Sequence, residues 1–301
     1  MQLGNYCTHL IEDLYTMREY YSENDWIKVQ SFCKAVSSAQ KFILPDNAEF
    51  YETIYLEDDS TSFNELMREF ISDEEAIKST EITDFERESW HVPYPLTVFE
   101  WRNTRSGEQH QVVNLVCFDK ETGKSSLYIA VKHPGTPFYL EGTCLVFQKP
   151  LDQQHEIEEA VHIYLDDLVE RNPERYSGPK QQMLLIASMS HHYVKILRTM
   201  TFMRCSNVYV KDVTAPKFLN RKRAKKNKVP FFEYKILEVK SEEKLVVVND
   251  EPIRHHRSPR IHLRRGHIRR YKSGLCTYVS PCVVGNKKRG MVAKSYSMEV
   301  H

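Results

Sequence analysis

Four runs rich in β-branched and aromatic residues, VPYPLTVFEW, HQVVNLVCF, SSLYIAVK and FYLEGTCLVFQ, follow one another between residues 92 and 149. Arg105-Ser106-Gly107, Thr122-Gly123-Lys124 and His133-Pro134-Gly135 separate them. Strand-forming runs at hairpin spacing predict an antiparallel meander sheet over 92–149. The two prolines of VPYP suit an edge or the entry of a strand, because proline cannot donate to a central ladder.

Helical periods flank this block. Cys7, Leu10, Ile11, Leu14 and Met17, then Trp26, Val29, Cys33 and Val36, recur every three or four residues and predict two amphipathic helices across 5–40, with Asn24-Asp25 as the capping signal between them. Phe63, Leu66, Met67, Phe70 and Ile71 predict a helix over 62–78. Ile157 through Val169 predicts another, ended by Asn172-Pro173, and Pro179 to about Met203 a longer one, so that helices occupy 155–203. The apolar stripe of that last helix reads as core rather than a cofactor box.

Charge divides the chain. The whole carries 42 Lys and Arg against 41 Asp and Glu, yet residues 201–301 hold 24 of the former against 8 of the latter, leaving 18 against 33 before them. The expected class is therefore α+β: an acidic helical and meander part over 1–203, a basic linker over 204–230 centred on APKFLNRKRAKKNKVP, and a small basic β-rich module over 231–301. Within that module FFEYKILEV, KLVVV, LCTYVSPCVVG and MVAKSY suggest four short strands. Such a charge dipole lets two domains pack, lets copies associate head to tail as a homo-oligomer, or lets the basic third bind a polyanion; basic residues clustered with Gly, His and aromatics favour the last.

The densest constellation is Arg254 to Tyr271, seven arginines and four histidines in eighteen residues. Uncompensated guanidinium groups are too costly to bury, so these face solvent, acids or phosphate, and the planar arginine fork binds phosphate bidentately. The candidate phosphate or nucleic-acid contacts are Arg254, Arg257, Arg260, Arg264, Arg265, Arg269 and Arg270, joined by Lys222, Arg223, Lys225 and Lys226 of the linker. His262 and His267 with Arg264 are a candidate catalytic set, since an imidazole pair beside a cation suffices for metal-independent cleavage of RNA. Gly266, between Arg265 and His267, is expected where a side chain would obstruct the backbone or where φ is positive. Arg257 and His262 have the loose spacing of HEPN ribonucleases, but Pro259 breaks the helix that motif needs. His255, His256, His262, His267, Cys276 and Cys282 lack a paired-cysteine half and sit among arginines, so no metal is expected, and no Walker, GxGxxG, GxSxG or HExxH motif implies a cofactor.

SPRIHLRRGHIRRYKSG, followed by TYVSPCVVG and KRGMVAKSY, resembles the C-terminal signature of a group of bacteriophage and prophage proteins, through Ser258, Pro259, Arg260, His262, Arg264, Arg265, Gly266, His267 and Arg269. The likeness covers the last 50–60 residues, with Thr277-Tyr278 standing where the group tends to have tryptophan. It implies a phage origin and no particular reaction.

Seven scattered cysteines, an odd number without a CxxC pair, read as reduced thiols. No apolar run approaches the roughly 20 residues of a membrane helix, and the acidic N-terminus is unlike a signal peptide, so no membrane partner is expected and the cytoplasm of the host cell is the expected location. The leading expectation is a phage-encoded nucleic-acid-binding protein, RNA-binding in particular, that acts on host machinery. The competing expectations are a metal-independent ribonuclease and a protein–protein inhibitor whose acidic half mimics nucleic acid on a host enzyme.

Overall fold

A computed structural model describes residues 4–50, 86, 89–105, 107–121, 125–147, 178–240, 260–264, 266–280, 282–284 and 286–291. The helices expected over 62–78 and 155–169, and the run KLVVV, lie outside the described residues.

The N-terminal stripes form α1 (Tyr6–Thr16) and α2 (Glu23–Ser38), and the spaced apolar residues Cys7, Leu10, Ile11, Leu14, Trp26, Val29, Cys33 and Val36 are all buried. The cap of α2 is Ser22 rather than Asn24-Asp25: its Oγ accepts from the Asp25 backbone N–H at 3.2 Å, the serine half of a capping box. Helical periodicity stops at Ser38, and Gln40–Ile43 forms β1 where the sequence predicted the end of a helix.

The meander is present as β2 (Leu96–Arg105), β3 (Glu108–Phe118), β4 (Ser125–Lys132) and β5 (Tyr139–Phe147), paired antiparallel in chain order. Gly107 takes φ +82° in the β2–β3 turn, which the glycine signal anticipated. Pro95 sits at the entry of β2, its carbonyl accepting from Phe118 N–H at 2.8 Å. After α3 (Pro179–Met203) come β6 (Val208–Val213), α4 (Lys217–Ala224) and β7 (Tyr234–Val239). These last strands complete a seven-stranded sheet of order β5-β4-β3-β2-β1-β7-β6, in which β1 runs parallel to both β2 and β7. FFEYKILEV, expected in the C-terminal module, thus lies inside the main sheet, and the segment expected as a linker supplies an edge strand and a helix.

Strand alternation sorts the core into two faces. Phe99 and Trp101 of β2, Val112 and Val116 of β3, and Leu127, Ile129 and Val131 of β4 meet Met189, Tyr193, Val194, Leu197 and Met200 of α3. Val98, Val113, Leu115 and Ala130 point the other way, to α1 and α2. On the α3 face His192 is buried against Trp101 and 3.1 Å from Asn114 Nδ2, and burial lowers its pKa to about 4, so it is a neutral core imidazole. On the α1 face Glu100 is fully buried and holds three elements together: its Oε2 accepts from Cys7 N–H at the start of α1 (3.2 Å) and from Tyr234 O–H of β7 (2.9 Å).

The remaining strands are short: β8 (Arg260–Arg264), β9 (His267–Arg270), β10 (Cys276–Val279), β11 (Cys282–Val284) and β12 (Asn286–Met291). β9 and β10 form a two-stranded hairpin, and β8 lies between β11 and β12. The arginine segment therefore supplies strand backbone itself, while LCTYVSPCVVG divides into two strands. Among the described residues no helix is long and apolar enough to cross a membrane.

Candidate nucleic-acid interface

The β9–β10 hairpin is shaped by its turn. Gly274 N–H bonds to Tyr271 C=O at 3.0 Å, Tyr271 N–H bonds to Leu275 C=O at 2.9 Å, and Gly274 takes φ +83°. That is a type I turn closed by a glycine bulge, a hairpin geometry that requires a left-handed residue at its fourth position. The turn leaves Arg269, Arg270, Tyr271, Lys272 and Leu275 exposed at the tip.

The base of the hairpin is fastened to the end of α3. Asn207 donates from Nδ2 to Tyr278 C=O (2.8 Å) and accepts at Oδ1 from Tyr278 N–H (2.9 Å). Ser206 N–H donates to Cys276 C=O at 2.9 Å, and the Tyr278 ring meets Phe202 edge-on at 5.1 Å between centroids. Cys205 and Cys276 are buried free thiols beside this seam, and burial together with its neighbour Cys276 pushes the Cys205 thiol well up, so it behaves as a small apolar residue. The exposed arginines are thus carried on a rigid support.

The residues singled out in the sequence distribute unevenly. Arg254, Arg257 and Arg265 lie outside the described residues. Arg260, His262 and Arg264 take alternate positions on β8, in register with Asn286, Val284 and Cys282. His267 opens β9 opposite Val279 and is half-buried, and Gly266 before it is buried. Among the described residues, His262 and His267 belong to strands that do not pair with each other. Lys222, Lys225 and Lys226 are exposed on and just after α4.

Arg223 departs from the expected role. Its Nη2 donates to Glu12 Oε1 of α1 at 2.5 Å, its Nε donates to Val229 C=O at 2.6 Å, and the guanidinium lies 4.4 Å over the Phe231 ring. A fork filled in this way is a tether between α4 and α1 and has little left for phosphate. Asn220 reinforces it, exchanging two 2.8 Å hydrogen bonds with the backbone of Phe231. The basic segment consequently packs on α1 as a short helix. It also stands apart from the arginine hairpin, since the hairpin docks before the first residue of β6 and α4 follows its last; six strand residues span about 20 Å.

Sequence reasoning passed over His110, His133 and Tyr139, which converge at one end of the sheet. Twenty-three residues separate the two histidines and no motif joins them; only the β3–β4 register brings them together. No family model, curated protein or solved structure matches the chain.

Proposed function

We propose that the protein binds nucleic acid through the β9–β10 hairpin. The observation that carries this reading is the exposed tip Arg269-Arg270-Tyr271-Lys272 on a strand pair whose base is fixed to α3. A two-stranded β-ribbon fits the major groove of B-form DNA, arginine and lysine supply phosphate contacts, and an exposed tyrosine offers a ring on which an unpaired base stacks. The surroundings favour an anion, because no Asp or Glu occurs between Pro252 and Met298, a stretch holding twelve Lys and Arg. The exposed aromatic beside the arginines favours a single-stranded or looped RNA over a uniform duplex.

Fluorescence anisotropy with a labelled single-stranded RNA, a hairpin RNA and a DNA duplex tests the proposal. The full chain should bind with an affinity that falls steeply as salt rises, in proportion to the phosphates neutralised. Arg269→Ala should weaken binding by about 1–3 kcal/mol with unchanged melting temperature, and Arg270→Ala should weaken binding as well. A salt-independent affinity, or variants that bind as the parent does, would reject it.

A further inference from the structure

At the end of the sheet where β3 begins and β4 leads into β5, three side chains from three segments share one face. His110 stands at an even position of β3, like Val112 and Val116, which meet α3. Lys132 turns to the opposite face, where its Nζ meets Asp13 Oδ2 at 2.8 Å, so His133 returns to the side of His110. Tyr139, in register with Val131, packs against the same α3-side cluster. The β4–β5 turn fixes His133: its N–H donates to Thr136 Oγ1 (3.2 Å), Thr136 N–H donates to its carbonyl (3.2 Å), and Gly135 takes φ +76°.

The Nδ1 atoms of His110 and His133 are 2.7 Å apart, with ring planes at 86°. Two imidazole nitrogens this close cannot both carry hydrogen, so one lone pair accepts the single proton between them. His133 Nε2 is 2.6 Å from the Tyr139 hydroxyl. With the ring N–H placed there, donating to the phenol oxygen, Nδ1 of His133 is the lone pair. An outer hydrogen bond of this kind fixes the tautomer of metal-binding histidines.

We propose that His110 and His133 chelate a divalent first-row transition metal ion, of the zinc, nickel or copper class, through their Nδ1 atoms. As two N–metal bonds form and two waters leave the ion, neutral His110 gives up its Nδ1 hydrogen to solvent and takes one up at Nε2; this tautomer change releases no net proton, and no electron is transferred. Metal–nitrogen bonds of about 2.0–2.1 Å require the two nitrogens to part by about half an ångström, a movement available to half-buried rings at a strand end and a turn. Among the described residues no three His, Cys, Asp or Glu side chains already converge. The rest of the shell therefore falls to water and to Glu108, exposed on the same face of β3 two residues before His110. Such a site has positions open to an exchangeable ligand. Imidazole donors select this class of ion over magnesium or calcium.

The chain has 13 histidines, four of them in the arginine segment, so total metal uptake does not discriminate and the readout must be site-resolved. In the full chain labelled with 15N-histidine, substoichiometric NiCl2 should first broaden the ring signals of His110 and His133, ZnCl2 should shift them, and MgCl2 should leave them unchanged. His110→Gln and His133→Gln should each weaken the tightest Zn2+ site at least tenfold by calorimetry, and Tyr139→Phe by a smaller factor, with melting temperature confirming a folded chain. If Ni2+ attenuates other histidines while these two persist, the pair is a proton-sharing contact and the proposal fails. It fails equally if either glutamine variant keeps the parent affinity; the wild-type spectrum decides the matter even if a variant does not fold.

Discussion

Replacing Glu100 by glutamine should change how stability depends on pH. The carboxyl is fully buried, and burial raises its pKa from 4.5 to about 7, even though the hydrogen bonds from Tyr234 and Cys7 favour the ionised form. Lys41 lies nearby, but its Nζ is committed to the carbonyls of Ser37 (3.1 Å) and Ala39 (2.8 Å). With the folded pKa above the unfolded one, the folded chain holds the proton more tightly. Stability from this group is complete below about pH 4.5, falls as pH rises, and is gone above about pH 7. At about 1.4 kcal/mol for each tenfold change in acidity, the loss amounts to about 3 kcal/mol. The substituted amide would be neutral throughout and can still accept from Cys7 N–H and Tyr234 O–H through its carbonyl oxygen. The stability of Glu100→Gln minus that of the parent should therefore rise by about 3 kcal/mol between pH 4.5 and 8, whatever constant offset the amide introduces. Urea titrations followed by circular dichroism at pH 4.5, 5.5, 6.5 and 8 measure this difference, in which the titration of every other group cancels. A flat difference would mean that Glu100 is already ionised in the fold at pH 5 and that its two donors outweigh its burial.

Arg223→Ala should cost about 1–3 kcal/mol of stability, because it removes the charge-assisted bond to Glu12 and the packing on Phe231. It should leave nucleic-acid affinity within about twofold of the parent under the same anisotropy assay, unlike Arg269→Ala; an unchanged melt with weakened binding would return Arg223 to the interface. If the hairpin binds without cleaving, RNA incubated with the purified chain in EDTA should remain intact; the described strand pairs place His262 opposite Val284 and His267 opposite Val279. A 2′,3′-cyclic phosphate product that disappears in His267→Ala would replace the binding account with a ribonuclease.

The meander was legible because each element carries its own signal: alternating apolar residues, with Gly107 and Gly135 where the chain turns back on itself. Local hairpins write their geometry into adjacent residues. β1 did not, since Gln40–Ile43 is four residues long with Lys41 and Phe42 as its buried pair, too little to show a period of two. The place of β7 was hidden for a different reason: it pairs with β1, Phe42 opposite Lys235, and Tyr234 bonds to Glu100 of β2, 134 residues earlier, partners too remote for a composition shift to mark. The arginines of the hairpin announced themselves by number, whereas the tethered state of Arg223 depends on Glu12, 211 residues away. Charge density could group Arg223 with Lys222 and Lys225 but could not tell a filled fork from an exposed one.

β1 joins the two halves of the sheet, and this has a consequence for the order of folding. The β2–β5 hairpins need only local chain, and such contacts form within microseconds to milliseconds, whereas parallel pairing between distant segments waits on the closure of a long loop. β7 must travel back to residues 42–43 before the far edge of β1 is covered. During synthesis that edge stays open until the chain has passed Val239, and every intermediate carries an unpaired apolar strand border next to Phe42 and Phe99. Uncovered borders of this kind recruit other chains. A chain interrupted after α4 therefore keeps its meander but presents β1 as a template for self-association, which makes the antiparallel β6–β7 pair a cover for the sheet as well as part of it.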